Sequence, residues 1–370
     1  MEQYHRVYAK INLENIRFNL ESIKKKTGVM VMPVIKADAY GHGAVETAVC
    51  IENCSDYFAV AVIEEALELR KAGIKKPVLI LGTLSSWCYE DAVKNDITVS
   101  LYTAEAAAKL SSVAAKLGKK VRVHLKVNTG MNRIGISCDE AGLEIAAKIA
   151  SFDNLETEGV FSHYATADEA DKSFCNEQCA RFEWFCASLE AKGISPSIRH
   201  ICNSAGIMET GKFFDMVRPG IILYGLLPSD EVDKSSLSLK SALELKTHVS
   251  CVKKLSAGET VSYGRTYTAP TDRVIATIPV GYADGYPRLL SNCGRVIIRG
   301  QYAPIVGRVC MDQFMVDVTQ IDGVMPEDDV TLIGTDGSCM VSVDEVAGFA
   351  HTINYEIVCG ISKRVPRMYE

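Results

Sequence analysis

Val29-Met30-Val31-Met32-Pro33-Val34-Ile35-Lys36-Ala37-Asp38-Ala39-Tyr40-Gly41-His42-Gly43 begins as an unbroken apolar run and then changes abruptly to lysine, glycine and aromatic residues. A short apolar run of this kind reads as a strand buried on both faces, over 29–37, which is the habit of parallel sheets. Upstream, Leu13, Ile16, Leu20 and Ile23 recur at helical spacing. Downstream the alternation of strand and helix repeats. Runs near Tyr57–Ile63, Pro77–Gly82, Ile97–Tyr102, Val121–Asn128, Gly159–Tyr164, Ile198–Asn203 and Met216–Leu223 bring the strands to eight. Between them Ala106, Leu110, Val113 and Leu117 form a helical stripe closed by Gly118. Gly73 closes the helix 64–72 in the same way, and Ser137 with Glu140 reads as a capping box before 141–150. Eight such cycles over about 210 residues point to an α/β fold, a (β/α)8 TIM-type barrel over 12–230. A doubly wound open sheet is the alternative. No G-x-G-x-x-G follows the first strand, which counts against the dinucleotide-binding version.

After residue 230 the texture changes. Runs rich in Val, Ile and Thr recur at 246–253, 273–280, 295–299, 303–309, 314–318 and 329–333, punctuated by Gly and Pro. They read as a mostly-β C-terminal domain, 231–370, joined by an N-terminal strand within 1–11. The 370 residues suit two domains, and a net charge of −6 without a basic block gives no sign of a nucleic-acid partner. No apolar run approaches the roughly 20 residues that span a bilayer, and no signal-peptide core opens the chain. A cytoplasmic protein is expected. The 13 cysteines are irregularly spaced. Cys50/Cys54 and Cys175/Cys179 are each four apart, but no further ligand-spaced Cys or His follows, so reduced thiols are favoured over a metal site.

A barrel carries its chemistry at the C-terminal ends of its strands. Lys36 stands at such an end, where desolvation lowers an amine's pKa and prepares it as a nucleophile; a surface lysine at a strand end is the plainer alternative. On the fifth strand Val121, Val123, Leu125 and Val127 form one face and Arg122, His124, Lys126 and Asn128 the other. The polar face would point into the barrel and must find partners there, unless the strand is a solvated edge. The loop Thr129–Gly135 then sets Arg133 above the barrel. His163 ends the sixth strand. Asn203 and Ser204 after the seventh fit an N-cap and an anion loop, and Arg218-Pro219-Gly220-Ile221 lies on the eighth, where barrels often hold phosphate. Lysine on one strand with phosphate loops on the last two is a workable layout for pyridoxal 5′-phosphate (PLP).

These segments resemble the alanine racemase family. Val34–Gly43 looks like its PLP-attachment signature. The likeness continues through Thr129–Gly135, Ser162–Asp168, Asn203-Ser204-Ala205, Arg218-Pro219-Gly220, Ser262-Tyr263-Gly264, Gly281–Arg288, Val309–Gln313, Thr352–Glu356 and Arg364–Arg367, across nearly the whole chain in order. The resemblance implies PLP-dependent interconversion of L- and D-alanine by two bases. Lys36 would hold the cofactor and serve as one base; Tyr263, supplied by the partner subunit of a homodimer, would be the other. Arg218 would face the pyridine nitrogen, with His163 linking it to the tyrosine. Arg133 would bind the cofactor's phenolic oxygen and the substrate carboxylate, oriented by Lys126, which relatives often carry carbamylated. Tyr40, Asn203, Ser204, Gly220, Ile221 and Tyr355 would bind the cofactor, largely at its phosphate. Met311 and Asp312 would approach the substrate, and Tyr282 and Arg288 would line the entrance. No metal is implied, and D-alanine for cell-wall peptidoglycan is the usual purpose.

Three rivals remain open at this level. A serine racemase of the same family differs by one hydroxyl, which a pocket shaped around a methyl rejects only weakly. A fold-related decarboxylase of basic amino acids is opposed by Ser262-Tyr263-Gly264 and Cys310-Met311-Asp312. A non-catalytic PLP-binding barrel would lack the second domain and its tyrosine.

Overall fold

The computed structural model describes residues 5–370, and the chain divides into two compact units. One comprises 14–39 and 44–241. The other comprises the described residues up to Leu13, Tyr40–Gly43 and Ala242–Glu370.

Eight parallel strands of the first unit follow one another around its sheet: Met30–Val31, Phe58–Val60, Val78–Ile80, Thr98–Leu101, Val121–Asn128, Leu155–Phe161, Ile198–His200 and Met216–Val217, and the short Ile136–Ser137 pairs in parallel with Val121–Asn128 off that path. The second to the seventh pair consecutively in one sheet, and the eighth pairs in parallel with the first. Backbone hydrogen bonds close both remaining seams. Ile35 N donates to Ala59 O and Ala59 N to Pro33 O, each at 2.9 Å. Asp215 N donates to Arg199 O and Arg218 N to Cys202 O, each at 3.0 Å. The sheet thus closes on itself as a (β/α)8 barrel, and the open-sheet alternative falls because neither end of the sheet is left as an edge.

Helix Leu13–Thr27 leads into the first strand, with Ile16, Leu20 and Ile23 fully buried. Lys24, Lys25 and Lys26 sit in its last turn, where cations suit the helix dipole. Three local expectations need correction. In helix Ala104–Lys116 the buried face is Ala107, Leu110, Ser111 and Ala114 rather than Ala106, Leu110, Val113 and Leu117. Small residues let the helix lie close to its neighbours and leave Val113 and Leu117 half-buried at the flank. Helix Glu140–Ala150 is capped by Asp139, which accepts from Gly142 N at 2.8 Å, while Ser137 supports Asp139 through its hydroxyl. The sixth strand starts four residues earlier than expected and ends at Phe161.

In the second unit a largely antiparallel sheet runs in the order Cys251–Leu255, Arg273–Ile278, Phe314–Asp317, Gln301–Val306, Arg295–Ile298, Asp329–Asp336, Leu243–His248, Val7–Ile11 and Arg367–Tyr369, with Cys339–Val341 on Asp329–Asp336. The run expected over 246–253 is two strands, Leu243–His248 and Cys251–Leu255, interrupted at Val249-Ser250. Val7–Ile11 pairs antiparallel with Leu243–His248 and parallel with Arg367–Tyr369; residues 1–4 of the stretch expected to hold that strand lie outside the described residues. Helices Val343–Phe349 and Asn354–Gly360 are additions that fading periodicity concealed. Among the described residues no helix is long and apolar enough to cross a membrane.

Candidate active site

The first barrel strand delivers Lys36 into an unusual turn. Ala37, Asp38, Ala39 and Tyr40 all have φ between 52° and 54°. L-residues disfavour this left-handed region by roughly 1–2 kcal/mol each, so local contacts must hold it. Glu65 does so from helix Ile63–Lys71 after the second strand, accepting from Ala37 N at 2.7 Å and from Ala61 N at 2.8 Å. Asp38 accepts from Ala44 N at 2.8 Å, and Ala39 N donates to Ile35 O at 2.9 Å. The strand expected to continue to residue 37 therefore stops before Lys36, and the lysine projects from the turn's first position. Beyond it, Gly41 has φ +81°, and a Cβ there would lie 2.2 Å from Val358 O. No other residue fits that position.

The polar face of the fifth strand finds its partners. Arg122 pairs with Asp96 at 2.8 Å, His124 is fully buried against His200 at 2.8 Å, and Asn128 organises the next loop by accepting from Gly130 N and Asn132 N. The strand lies between the fourth and the sixth, so it is no solvated edge. Lys126, 4% exposed, donates to Val127 O at 2.9 Å and lies 5.3 Å over the Phe161 ring. Burial, with Arg218 and Arg133 nearby, pushes this amine down to about 7.

Arg218 is 2% exposed. Its Nη2 donates to Ser162 O at 2.7 Å, Ile201 O at 2.9 Å and His163 Nδ1 at 3.1 Å, and its Nη1 to His200 Nδ1 at 2.8 Å. Burial lowers it to about 10, which leaves it cationic at neutral pH. Its Nε–H has no hydrogen-bond partner among the described residues. A guanidinium has only donors, so His163 must present a lone pair at Nδ1 and carry its proton on Nε2. The group facing that proton is the Asn203 amide nitrogen at 3.4 Å, another donor. Burial and the charges of Arg218, Lys126, Arg133 and Lys36 hold His163 well below its ordinary pKa, hence neutral.

Asn203 caps the helix Ser204–Glu209 by accepting from Gly206 N at 2.9 Å. Ser204 Oγ accepts from Gly220 N at 2.9 Å, which leaves the hydroxyl hydrogen to donate elsewhere. Gly220 and Ile221 are buried beside it. Arg133 is exposed on its loop and close enough to act on Lys126, Arg218 and His163. Buried Gln178, which sequence reasoning missed, joins the two loops: it accepts from Ala165 N at 2.8 Å and donates to Thr129 Oγ1 at 3.3 Å and His163 O at 3.1 Å. Its only signal was an amide on the helix after the sixth strand. Lys36, Lys126, His163 and Arg218 thus converge at the C-terminal end of the barrel, a site rich in cations that suits an anionic ligand.

The other candidates belong to the second unit. Tyr263 is 74% exposed at the tip of a ribbon formed by Thr260–Val261 and Tyr267–Thr268. Val261 and Tyr267 pack with Leu255, Ala269, Ile275 and Val306, which anchors the ribbon. Ser262 adopts φ 68° and donates to Arg308 O at 2.7 Å, fixing the tip against the segment that continues to Met311 and Asp312. Tyr282 N and Ala283 N bond to Cys310 O and Met311 O at 3.1 and 3.0 Å, so the Gly281–Arg288 segment joins them. Met311, Asp312, Tyr282 and Arg288 are all exposed, and Asp312 pairs with Arg364 at 2.9 Å. Tyr40 and Tyr355 lie with ring centroids 6.0 Å apart.

The family model described as "Alanine racemase, N-terminal domain" matches residues 11–228, and "Alanine racemase, C-terminal domain" matches 242–369. An alanine racemase of Desulforamulus reducens is 47% identical, with 98% of each chain covered. The solved alanine racemase of Clostridium difficile 630 is 40% identical, with a TM-score of 0.96 over 100% of this chain and 97% of that one. An alanine racemase from Bacillus anthracis with bound L-Ala-P gives 36% and 0.93 over 100% and 96%.

Proposed function

This chain belongs to the alanine racemase family and interconverts L- and D-alanine, and we propose that it does so with PLP held by Lys36, with Lys36 and Tyr263 each taking or giving a proton at the α-carbon on its own face. The observation that carries the cofactor reading is Arg218, a buried cation whose Nε–H is left over after its other groups are bonded. A neutral ring nitrogen suits that donor. Ser204 and the N–H groups of Gly220 and Ile221 form a donor set suited to a phosphate, with Asn203 shaping their loop and Tyr40 and Tyr355 adding hydroxyls. When bound, PLP supplies an electron sink that makes the α-hydrogen of alanine acidic.

The residues then have separate tasks. Lys36 as free amine takes or returns a proton on its face. Tyr263 does the same opposite, since inversion needs removal on one side and delivery on the other. His163, with its proton fixed on Nε2, offers that proton to the tyrosine oxygen and ties it to Arg218. Arg133 grips the carboxylate of the substrate, while Met311 and Asp312 border it and Tyr282 and Arg288 guard the approach. The exposure of Tyr263 and Met311 within one chain, 74% and 53%, supports a homodimer in which each chain lends these residues to its partner's site. The same proposal includes cytoplasmic residence, in keeping with thirteen free cysteines, and supply of D-alanine to peptidoglycan.

Purified protein given L-alanine or L-serine and followed by circular dichroism tests the reading. We expect rapid loss of optical rotation with alanine and little with serine, together with a pyridoxyl group on Lys36 after borohydride treatment and peptide mapping. A label on another lysine would remove Lys36 from its role.

Lys126 completes the site as a carbamate. Only the free amine attacks carbon dioxide, losing a proton, and an amine at about 7 is largely free above that pH. The product is an anion within the fields of Arg133 and Arg218. Isotope-labelled bicarbonate should give a carbamate carbon signal that fades below pH about 7 and is missing in Lys126→Met. In the uncarbamylated protein the sign of the stability effect also follows. The unfolded chain holds the extra proton between pH about 7 and 10.5, so this group's contribution is best above 10.5 and worsens as pH falls to about 7.

A further inference from the structure

A chain of hydrogen bonds descends from Arg218 through the barrel interior, and its direction can be deduced bond by bond. Arg218 Nη1 donates to His200 Nδ1 at 2.8 Å, so His200 is neutral with its proton on Nε2. That Nε2 is 2.8 Å from His124 Nδ1. His124 must therefore accept there and carry its own proton on Nε2, which faces Glu158 Oε2 at 3.3 Å. The same carboxylate oxygen accepts from the Tyr57 hydroxyl, and Tyr57 is in turn 3.1 Å from Thr98 Oγ1. Tyr57 and Thr98 stand at the N-terminal ends of the second and fourth barrel strands. The chain thus joins a cation at the barrel's mouth to a carboxylate towards its floor through two neutral imidazoles.

The surroundings hold the rings in place. Phe161 stacks on His200 with centroids 4.9 Å apart and planes 3° from parallel, and the Arg218 guanidinium lies 5.4 Å over the same ring. Gly159 is the notch that admits His124: a Cβ there would lie 2.6 Å from the imidazole. The register of the fifth and sixth strands shifts at Val123/His124, beside that notch. His124 and His200 are fully buried, so a reversed tautomer would set two donors face to face with no water to intervene.

We propose that Glu158 is a positioning residue for racemisation: by accepting the proton on His124 Nε2 it satisfies, at the far end of the chain, the tautomers that Arg218 demands at the near end, so that His200 always offers a lone pair to Arg218 and the guanidinium keeps one orientation and its charge. The proposal rests on the reading that Arg218 faces the cofactor ring. Glu158 touches neither substrate nor cofactor and acts only through the two imidazoles. Its ionised state agrees with the direction of its pKa, which the hydrogen bonds from His124 and Tyr57 bring below the ordinary value despite burial.

The test compares wild type, Glu158→Gln and Glu158→Leu as holoenzymes, with isotope-labelled imidazole nitrogens read by NMR. In wild type, His124 and His200 are expected to carry their protons on Nε2. Gln can still accept through its amide oxygen, so it should keep that pattern and nearly full kcat. Leu cannot accept and leaves the His124 Nε2 proton buried and unpaired, a cost that competes with the Arg218–His200 bond, so it should mix the tautomers and lower kcat about 10-fold with KM little changed. A purely structural role would lower the thermal midpoint while leaving kcat and tautomers alone at lower temperature, and that result would overturn the proposal. So would a wild-type His200 protonated at Nδ1, a measurement that needs no variant to fold. Failure of wild type to take up PLP would instead sink the cofactor reading, leaving the tautomers to be judged in the same spectra.

Discussion

Lys36→Ala is expected to lower alanine racemisation by more than about 10⁴-fold, the upper range for loss of a single acid–base group, because one change removes both the covalent anchor and one proton carrier. The alanine variant should still bind PLP through Arg218, Ser204 and Gly220, but reversibly, so that dialysis strips the cofactor colour that wild type retains. Small primary amines added to the solution should restore part of the activity, since the missing group is an amine at a site left open. Retention of most of the activity would show that another residue forms the bond. The turn from Ala37 to Tyr40 argues against that outcome, because it presents a single lysine from a backbone braced by Glu65 and Asp38.

Tyr263→Phe is expected to reduce kcat/KM about 10²–10⁴-fold in both directions, with cofactor colour and dimerisation intact. Both directions suffer because each needs a proton taken on one face and given on the other. The discriminating measurement is exchange in heavy water. With Lys36 present, the enantiomer whose α-hydrogen faces the lysine should still exchange that hydrogen, while inversion stops. Loss of exchange in both enantiomers would mean that Tyr263 serves the site structurally. Wild-type rates of inversion would refute the two-base assignment. The ribbon that carries Tyr263 is anchored by Val261 and Tyr267 rather than by the phenol, so the variant should fold normally.

Much of this was legible in the sequence because strand and helix periodicities differ and because polar residues in a buried strand demand partners. The alternation over 121–128 correctly announced a polar barrel interior, and Asn203 announced its cap. What the residues could not reveal was set by contacts between distant segments. Glu158 reads as an ordinary strand acid until His124 and Tyr57 are found against it. Gln178 reads as a surface amide on a helix until two loops close over it. Before residue 140, Ser137 and Asp139 both fit the local capping rule, and only geometry selects Asp139 over Ser137. Lys36 reads as a strand residue because its neighbours Ala37 and Ala39 carry no Asn or Gly signal for positive φ. Their conformation is imposed by Glu65, Asp38 and the packing beyond Gly41.

That turn has a consequence for handedness itself. From Ala37 to Tyr40 the backbone follows the path natural to mirror-image residues, in a protein whose product is a mirror-image amino acid. A D-alanine placed by chemical synthesis at 37 or 39 would relax the segment instead of straining it. For the L-residues that stand there, small side chains are the ones that endure such a path with least crowding, and a branched substitution would drive the chain towards the opposite hand and swing the lysine away from the barrel.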